Sequence, residues 1–344
     1  MTADPSKEDP LRALASSHTI AEENRQVANA GQTSRKEKRG PQPRREKRDV
    51  DGWLLLDKPV GMTSTHAVAV AKRVFSAKKA GHAGTLDPLA SGVLPIALGE
   101  ATKTVPFVME GRKAYRFTVR WGVETDTDDA EGRITEQRTE RPSEEAIRAQ
   151  LANFTGTITQ VPPRFSAIKI QGERAYDLAR DGEAVELAPR QIEIHRLTLV
   201  AMPDADHAVF EAECGKGTYV RAIARDMGRA LETLGHVAAL RRTAVGPFAE
   251  TDTVTLDALQ EAAAAGDAKP CLRRVEAGLQ ELPALAVSRS DAARLTQGQP
   301  VLLRGRDAPV MGGWVAVSTQ GDLIALAEVE GGELHPRRIF HVRS

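Results

Sequence analysis

The sequence predicts an α+β fold: a mostly antiparallel mixed sheet flanked by helices, followed by a small C-terminal β domain. Three observations carry this. Tyr115-Phe117-Val119-Trp121 and Phe210-Ala212-Cys214 alternate with polar residues, the period of half-buried strands. Val220, Ile223, Ala224, Met227, Leu231 and Leu234 recur at helical spacing. Strands and helices mix without strict β-α-β alternation, and strands that alternate cleanly belong to antiparallel sheets with one covered face.

Taken in order, residues 1 to 49 are polar and poor in Val, Ile and aromatics, which predicts a disordered extension. Its end carries Arg35, Lys36, Lys38, Arg39, Arg44, Arg45, Lys47 and Arg48 against Glu37 and Glu46, a block that serves either as a solvated tail or as a basic arm on nucleic acid. Ordered structure is expected from Gly52. Trp53 to Leu56 is a buried strand stopped at Asp57-Lys58-Pro59. Thr63 or Ser64 caps a helix with Ala67, Val70, Ala71 and Val74 on its apolar face. Val93 to Leu98 is a further strand despite Pro95. Ser143 caps a helix with Ile147, Leu151 and Phe154 inward. A strand ends at Gly215-Lys216-Gly217, where the Val220 helix begins. Residues 251 to 281 look helical and connecting. After Pro283, short strands such as Val315–Ser318 and Leu323–Val329 alternate with Gly-rich turns. The expected organisation is therefore an extension to 49, a main domain over 50–281 and a β domain over 282–344.

A chain of 344 residues exceeds one ordinary core, in keeping with two domains and a tail. Lys plus Arg equals Asp plus Glu at 47 each, which leaves room for local basic patches because a patch, not the sum, steers a charged ligand. Cys214 and Cys271 form neither a metal motif nor a disulfide framework. With no apolar run near membrane length and no secretory h-region, the expected location is cytoplasmic.

Gly81-His82-Ala83-Gly84-Thr85-Leu86-Asp87-Pro88-Leu89-Ala90-Ser91-Gly92 breaks all periodicity. Leu86, Leu89 and Ala90 pack such a loop down, and Pro88 holds the preceding Asp87 in extended backbone. An Asp before Pro is by itself an ordinary turn residue; on a shaped, partly buried loop it is also a candidate for chemistry. Thr125-Asp126-Thr127-Asp128-Asp129-Ala130-Glu131-Gly132 lacks the ligand order and distant Glu of an EF-hand, so no calcium site is assigned.

Leu56-Asp57-Lys58-Pro59-Val60-Gly61-Met62-Thr63-Ser64, then Gly81 to Pro88, then Gly215-Lys216-Gly217-Thr218-Tyr219-Val220-Arg221, then Leu240-Arg241-Arg242-Thr243 resemble the ordered motifs of the TruB family of bacterial tRNA pseudouridine synthases. The resemblance runs from about residue 50 to 250. The last sixty or so residues, ending Pro336-Arg337-Arg338-Ile339-Phe340, more loosely resemble a PUA RNA-binding domain. The resemblance implies isomerisation of uridine 55 in the T loop of tRNA by a pseudouridine synthase domain, with no metal, no cofactor, and a monomeric chain.

It further implies roles for particular residues. Asp87 is the catalytic carboxylate, attacking C1′ of the ribose or, by another route, taking the C2′ proton. The problem is akin to glycoside chemistry, with uracil a leaving group that spreads its own charge. Arg221 pairs with Asp87, and Tyr115 stacks on the target base. His82 belongs to the base-flipping machinery. Tyr219, Thr85, Lys58, Arg241 and Arg242 are carried over as substrate-side residues, with Lys58, Pro59, Thr63 and Ser64 also bracing the Asp87 loop. Phe165 stands where the family often has Tyr, so any hydrogen bond of that hydroxyl is missing here. Candidate RNA-backbone contacts are Lys78, Lys79, Lys103, Arg112, Lys113, Lys169, Arg174, Arg241 and Arg242. A non-catalytic RNA-binding protein on the same scaffold is the main rival reading.

Overall fold

The computed structural model describes residues 46–166, 169–170, 173–174, 187–303 and 312–342. Arg48 already belongs to the ordered structure, contrary to the expected start at Gly52. Its N–H donates to the Ser76 carbonyl at 2.7 Å and its carbonyl accepts from Lys78 at 3.0 Å, in a parallel bridge with Ala77. Residues 1–45, with the rest of the basic block, lie outside the described residues.

In chain order the elements that position the site are β1 (Gly52–Lys58), α1 (Ser64–Val74), β2 (Ala80–His82), β3 (Ala90–Leu98) and β4 (Lys113–Trp121). The hairpin of β5 (Val123–Thr125) and β6 (Ile134–Gln137) follows, then α2 (Glu144–Gln150), β7 (Gly156–Gln160), β8 (Arg190–Ala201) and β9 (His207–Cys214). Next come α3 (Val220–Ala230) and β10 (Gly235–Val245). The main sheet runs β1, β3, β10, β4, β9, β8, β7, with Val254–Thr255 pairing outside β1 and β2 pairing β3. Only β3–β10 and the Val254–Thr255 edge pair in parallel; the other pairings of the sheet are antiparallel. The expected fold class is the one observed.

Local rules explain the elements. Phe117, Val119 and Trp121 of β4 are buried while Arg116 and Arg120 are exposed, as their alternation predicts. The Thr63 hydroxyl accepts from the His66 N–H at 3.1 Å, capping α1, and Lys72 and Arg73 complement the dipole at its other end. Pro95 sits inside β3, opposite Leu55, and its carbonyl accepts from Ala83 at 2.9 Å. The sequence reading overextended one helix. Backbone with φ of 56° at Glu232 turns the chain after α3, so buried Leu234 lies beyond the helix. The turn is needed because Gly228 of α3 lies against Gly235 of β10, where an added Cβ would stand 2.5 Å from the Gly235 nitrogen.

One core cluster fills the space between β4, β8, β9 and α3, with Phe117 stacked on Phe210 at a ring-centroid separation of 5.4 Å. A second sheet, Ala284–Ala286, Gly313–Thr319, Asp322–Glu330, Glu333–Ile339 and Val301–Leu302 in spatial order, forms the C-terminal β structure. Its Leu323, Leu326 and Phe340 pack into the cluster of Trp53, Val93, Phe248, Val275 and Leu279. Lys103 fastens the seam, donating to the Ile339 carbonyl at 2.7 Å and to Glu100 at 2.6 Å, while Glu100 accepts from the His341 N–H at 2.7 Å.

Gly92 marks the tightest approach between strands near the site. Its φ is +96°, and a Cβ would stand 2.2 Å from the Arg242 carbonyl oxygen, backbone that has nowhere to move. Gly92→Ala should lower stability by about 3 kcal/mol, read as a shift in the urea midpoint.

Candidate active site

The loop between β2 and β3 is held along both flanks, so Asp87 at its tip is fixed by its neighbours. On one side the buried Arg242 fork donates to the carbonyls of Gly84 at 3.1 Å, Thr85 at 3.3 Å and Val93 at 2.9 Å. The Ser64 hydroxyl both accepts from the Leu86 N–H and donates to the Leu86 carbonyl, each at 2.9 Å. On the other side the Pro88 carbonyl accepts from Gly61 N–H at 2.8 Å and from the Lys58 ammonium at 3.4 Å. The Asp87 carbonyl accepts from Ala90 N–H at 3.1 Å.

The Asp87 carboxylate meets the Arg221 guanidinium at 2.9 Å. The Asp87 side chain is 39% exposed and that of Arg221 7%, so the carboxylate faces the cleft while its partner is sunk behind it. Arg221 is placed by the first turn of α3 and donates also to the carbonyls of Thr127 at 3.0 Å and Phe165 at 2.9 Å, with Asp129 at 3.4 Å. Burying a guanidinium is costly unless its donors find acceptors. Here carbonyls and carboxylates from three chain segments supply them.

A cleft of about 280 Å³ opens over this pair, lined among others by Thr85, Asp87, Tyr115, Tyr219, Arg221 and Arg242. Tyr115 packs on the core cluster and borders the cleft; burial pushes its phenol up to about 12, against the opposing effect of neighbouring Arg242. It therefore stays protonated at neutral pH. Tyr219 caps α3, its N–H donating to Gln160 at 2.9 Å and its carbonyl accepting from the same side chain at 3.2 Å. The arrangement presents one carboxylate, its guanidinium partner and two tyrosines to a small concave space, parts suited to holding a planar base and acting on the sugar beside it.

Six of the expected site residues thus converge, and three do not. His82 lies on β2 and is not among the residues lining the cleft. Lys58 is fully buried, its ammonium donating to the Pro59 and Met62 carbonyls at 2.9 and 2.8 Å as well as to Pro88, and so braces the Asp87 loop. Arg241 spends its fork on Asp57, at 3.0 Å through each terminal nitrogen, and on Glu250 at 2.8 Å. Arg242 lines the cleft but works as the clamp on the loop backbone.

The expected RNA contacts thin out for the same reason. Lys78 pairs with Asp49 at 2.8 Å, Lys103 is spent on the domain seam, and Lys113 is buried with its ammonium on the Met109 and Gly111 carbonyls. Lys79 and Arg112 remain exposed; the side chains of Lys169 and Arg174 lie outside the described residues. Conversely, sequence reasoning gave no site role to Thr127, Asp128, Asp129 or Arg225. The signal was present: an acidic run of otherwise unexplained density, and Arg221 and Arg225 four residues apart on one helix face. Among the described residues no cluster of His, Cys, Asp and Glu is arranged to hold a metal ion, and no helix is long and apolar enough to cross a membrane.

Residues 72–220 match the model of the TruB family pseudouridylate synthase N-terminal domain, 221–282 that of the tRNA pseudouridylate synthase B C-terminal domain, and 283–340 that of the pseudouridine synthase II TruB C-terminal region. A tRNA pseudouridine synthase B of Bradyrhizobium diazoefficiens is 67% identical over 312 residues, 89% of this chain and 90% of that protein. The chain belongs to the TruB family of pseudouridylate synthases. It is accordingly an isomerase. The tRNA pseudouridine synthase B of Agrobacterium fabrum is 56% identical over 300 residues, 85% of this chain and 95% of that one. Among solved structures, an archaeal box H/ACA sRNP Nop10–Cbf5 complex matches with TM-score 0.64 at 27% identity, over 84% of this chain and 85% of that chain. An H/ACA RNP bound to a substrate RNA containing 2′-deoxyuridine matches with TM-score 0.66 at 25% identity, over 85% and 86%.

The brace under the loop has a titration signature. Burial pulls the Lys58 ammonium down to about 8 from its ordinary 10.5, opposed by nearby Asp87. Between those pH values the unfolded chain binds more protons than the folded one, so this group's contribution to stability rises with pH and is lost as pH falls back through 8. In urea melts from pH 7 to 10.5, wild type should gain stability relative to Lys58→Met; parallel curves would mean an unperturbed amine.

Proposed function

We propose that this protein isomerises uridine to pseudouridine at position 55 in the T loop of tRNA, with Asp87 as nucleophile and without a cofactor. The observation that carries the reading is the Asp87–Arg221 contact at 2.9 Å in a cleft bordered by Tyr115, on a loop whose backbone is pinned on both flanks. The relatives' names supply tRNA as the substrate. The chemistry is redox-neutral: the glycosidic C–N bond breaks, the uracil turns, and a C–C bond forms through C5, whose proton leaves to solvent. Nothing in that balance calls for a redox group or a group donor.

On this reading the flipped uridine enters the cleft with its ribose toward Asp87 and its ring against Tyr115. Extrusion costs a few kcal/mol of unstacking, which contacts around the opened loop offset. A splayed RNA loop suits such a site better than an A-form duplex, whose bases are hidden. His82, on the strand leading into the catalytic loop, braces the opened RNA and takes no part in the chemistry. Residues 50–281 form the catalytic domain, and 282–344 hold a more distant part of the tRNA across a seam fixed by Lys103 and Phe340.

Release of tritium from tRNA labelled at C5 of uridine tests the assignment. Wild type should release it; Asp87→Asn should bind tRNA and release none, whereas release by that variant would remove Asp87 from the chemistry. Arg221→Lys keeps the charge but loses the planar fork, and should slow release by about 100-fold. Binding should weaken with salt by about 0.7 in log-log slope for each single-strand phosphate neutralised. Salt-insensitive binding would contradict a backbone-tracking interface.

A further inference from the structure

We propose that Arg225 and Asp128 are positioning residues that hold Arg221, and through it Asp87, in the geometry needed for the isomerisation. The inference rests on the function proposed above. It starts from where the Arg221 acceptors come from: apart from Asp87, they belong to the acidic loop, through Thr127 and Asp129, and to the segment after β7, through Phe165. Neither segment belongs to a regular element at these positions, so something must set the distance between them.

Arg225 does so. One turn along α3 from Arg221, it bridges the same two segments, donating to the Asp128 carboxylate at 3.0 Å and to the Val161 carbonyl at 2.8 Å, with Asp226 taking its Nε at 2.8 Å. Two arginines four residues apart share one helix face, so the pair clamps both segments to a single rigid element. Asp128 has φ of 61°, uncommon for a residue with a Cβ. That left-handed turn directs adjacent carboxylates to different arginines, Asp128 to Arg225 and Asp129 to Arg221. Backbone bonds then dock the loop on β10, Val237 N–H to Asp128 carbonyl at 3.1 Å and Ala130 N–H to Val237 carbonyl at 2.9 Å.

Asp128 is 8% exposed and Arg225 9%. Burial outweighs both arginines and pushes the Asp128 carboxyl up to about 6. A pair on such terms adds little stability over a well-packed apolar one, so its use here is geometric. Arg225 lies outside the cleft lining and touches neither Asp87 nor the space above it, so its effect must pass through Arg221.

The test uses full-length Arg225→Lys and Asp128→Asn, matched for folded content by thermal melting. Three readouts are taken: single-turnover tritium release from a C5-labelled T-arm hairpin, the Kd for that hairpin, and crystal structures of the variants. Arg225→Lys keeps the charge but cannot reach Asp128 and Val161 together. It should slow the single-turnover step at least 10-fold while Kd stays within 2-fold, since displacements of about 1 Å at reacting groups cost up to about 100-fold. Asp128→Asn should do the same, and Asp128→Glu, which keeps the charge, should recover part of the rate. In the crystal structures Arg221 should no longer contact Asp87 within hydrogen-bond distance. A wild-type rate in both variants, or a loss matched by equal loss of RNA affinity, would overturn the positioning role. So would an unchanged Arg221–Asp87 contact, which decides the matter even if wild type released no tritium and the proposed function itself had failed.

Discussion

The structure is organised around a buried guanidinium. Arg221 stands at the start of α3 with its side chain almost withdrawn from solvent, and a cation so placed is tolerable only if oxygen atoms surround it. One of those oxygens belongs to Asp87, and the others come from segments some 90 and 56 residues away in sequence. Satisfying Arg221 therefore requires the Asp87 loop, the acidic loop and the segment after β7 to meet at one helix terminus. The antiparallel order of β10, β4 and β9 beneath α3 brings them there.

A second constraint acts on the loop itself. The irregular segment that carries Asp87 buries Ala83, Leu86 and Ala90, but its backbone N–H and carbonyl groups still need partners. The fold answers with hydrogen bonds to backbone: Arg242 from β10, Ser64 from the first turn of α1, and Lys58 from the end of β1. Because β3 and β10 pair in parallel at Ser91–Arg241 and Gly92–Arg242, the clamp and the loop are parts of the same ladder. Gly92 is required there by the closeness of Arg242 backbone, so the loop, its clamp and its glycine form one solution to one steric problem.

The C-terminal sheet meets the main domain through an apolar cluster that includes Trp53, Phe248, Leu326 and Phe340, sealed by Lys103 and Glu100. An interface of that character favours a fixed arrangement over a hinged one. The cleft and the C-terminal sheet are thereby held at a set distance from each other.

The sequence by itself determined the elements and singled out a small set of residues. Alternation and helical spacing placed β4, β9, α1 and α3, because these periods are set by backbone geometry within a few residues. Motif order pointed to Asp87, Tyr115 and Arg221, which do converge. What the tertiary structure decided is which charges are spent internally. Lys58, Arg241 and Arg242 read in sequence as substrate-side residues, and the fold commits each within the protein: Lys58 to the Pro59, Met62 and Pro88 carbonyls, Arg241 to Asp57 and Glu250, Arg242 to the Gly84, Thr85 and Val93 carbonyls. The acidic run at 125–132 was legible only as lacking the ligand order of a calcium site, and the fold turns it into the wall that holds Arg221. Helix α3 ended earlier than its apolar spacing suggested because Gly228 must touch Gly235. For Arg221 and Arg242 the deciding partners are distant along the chain, and burial, not residue type, settles whether a charged group faces solvent or another part of the protein.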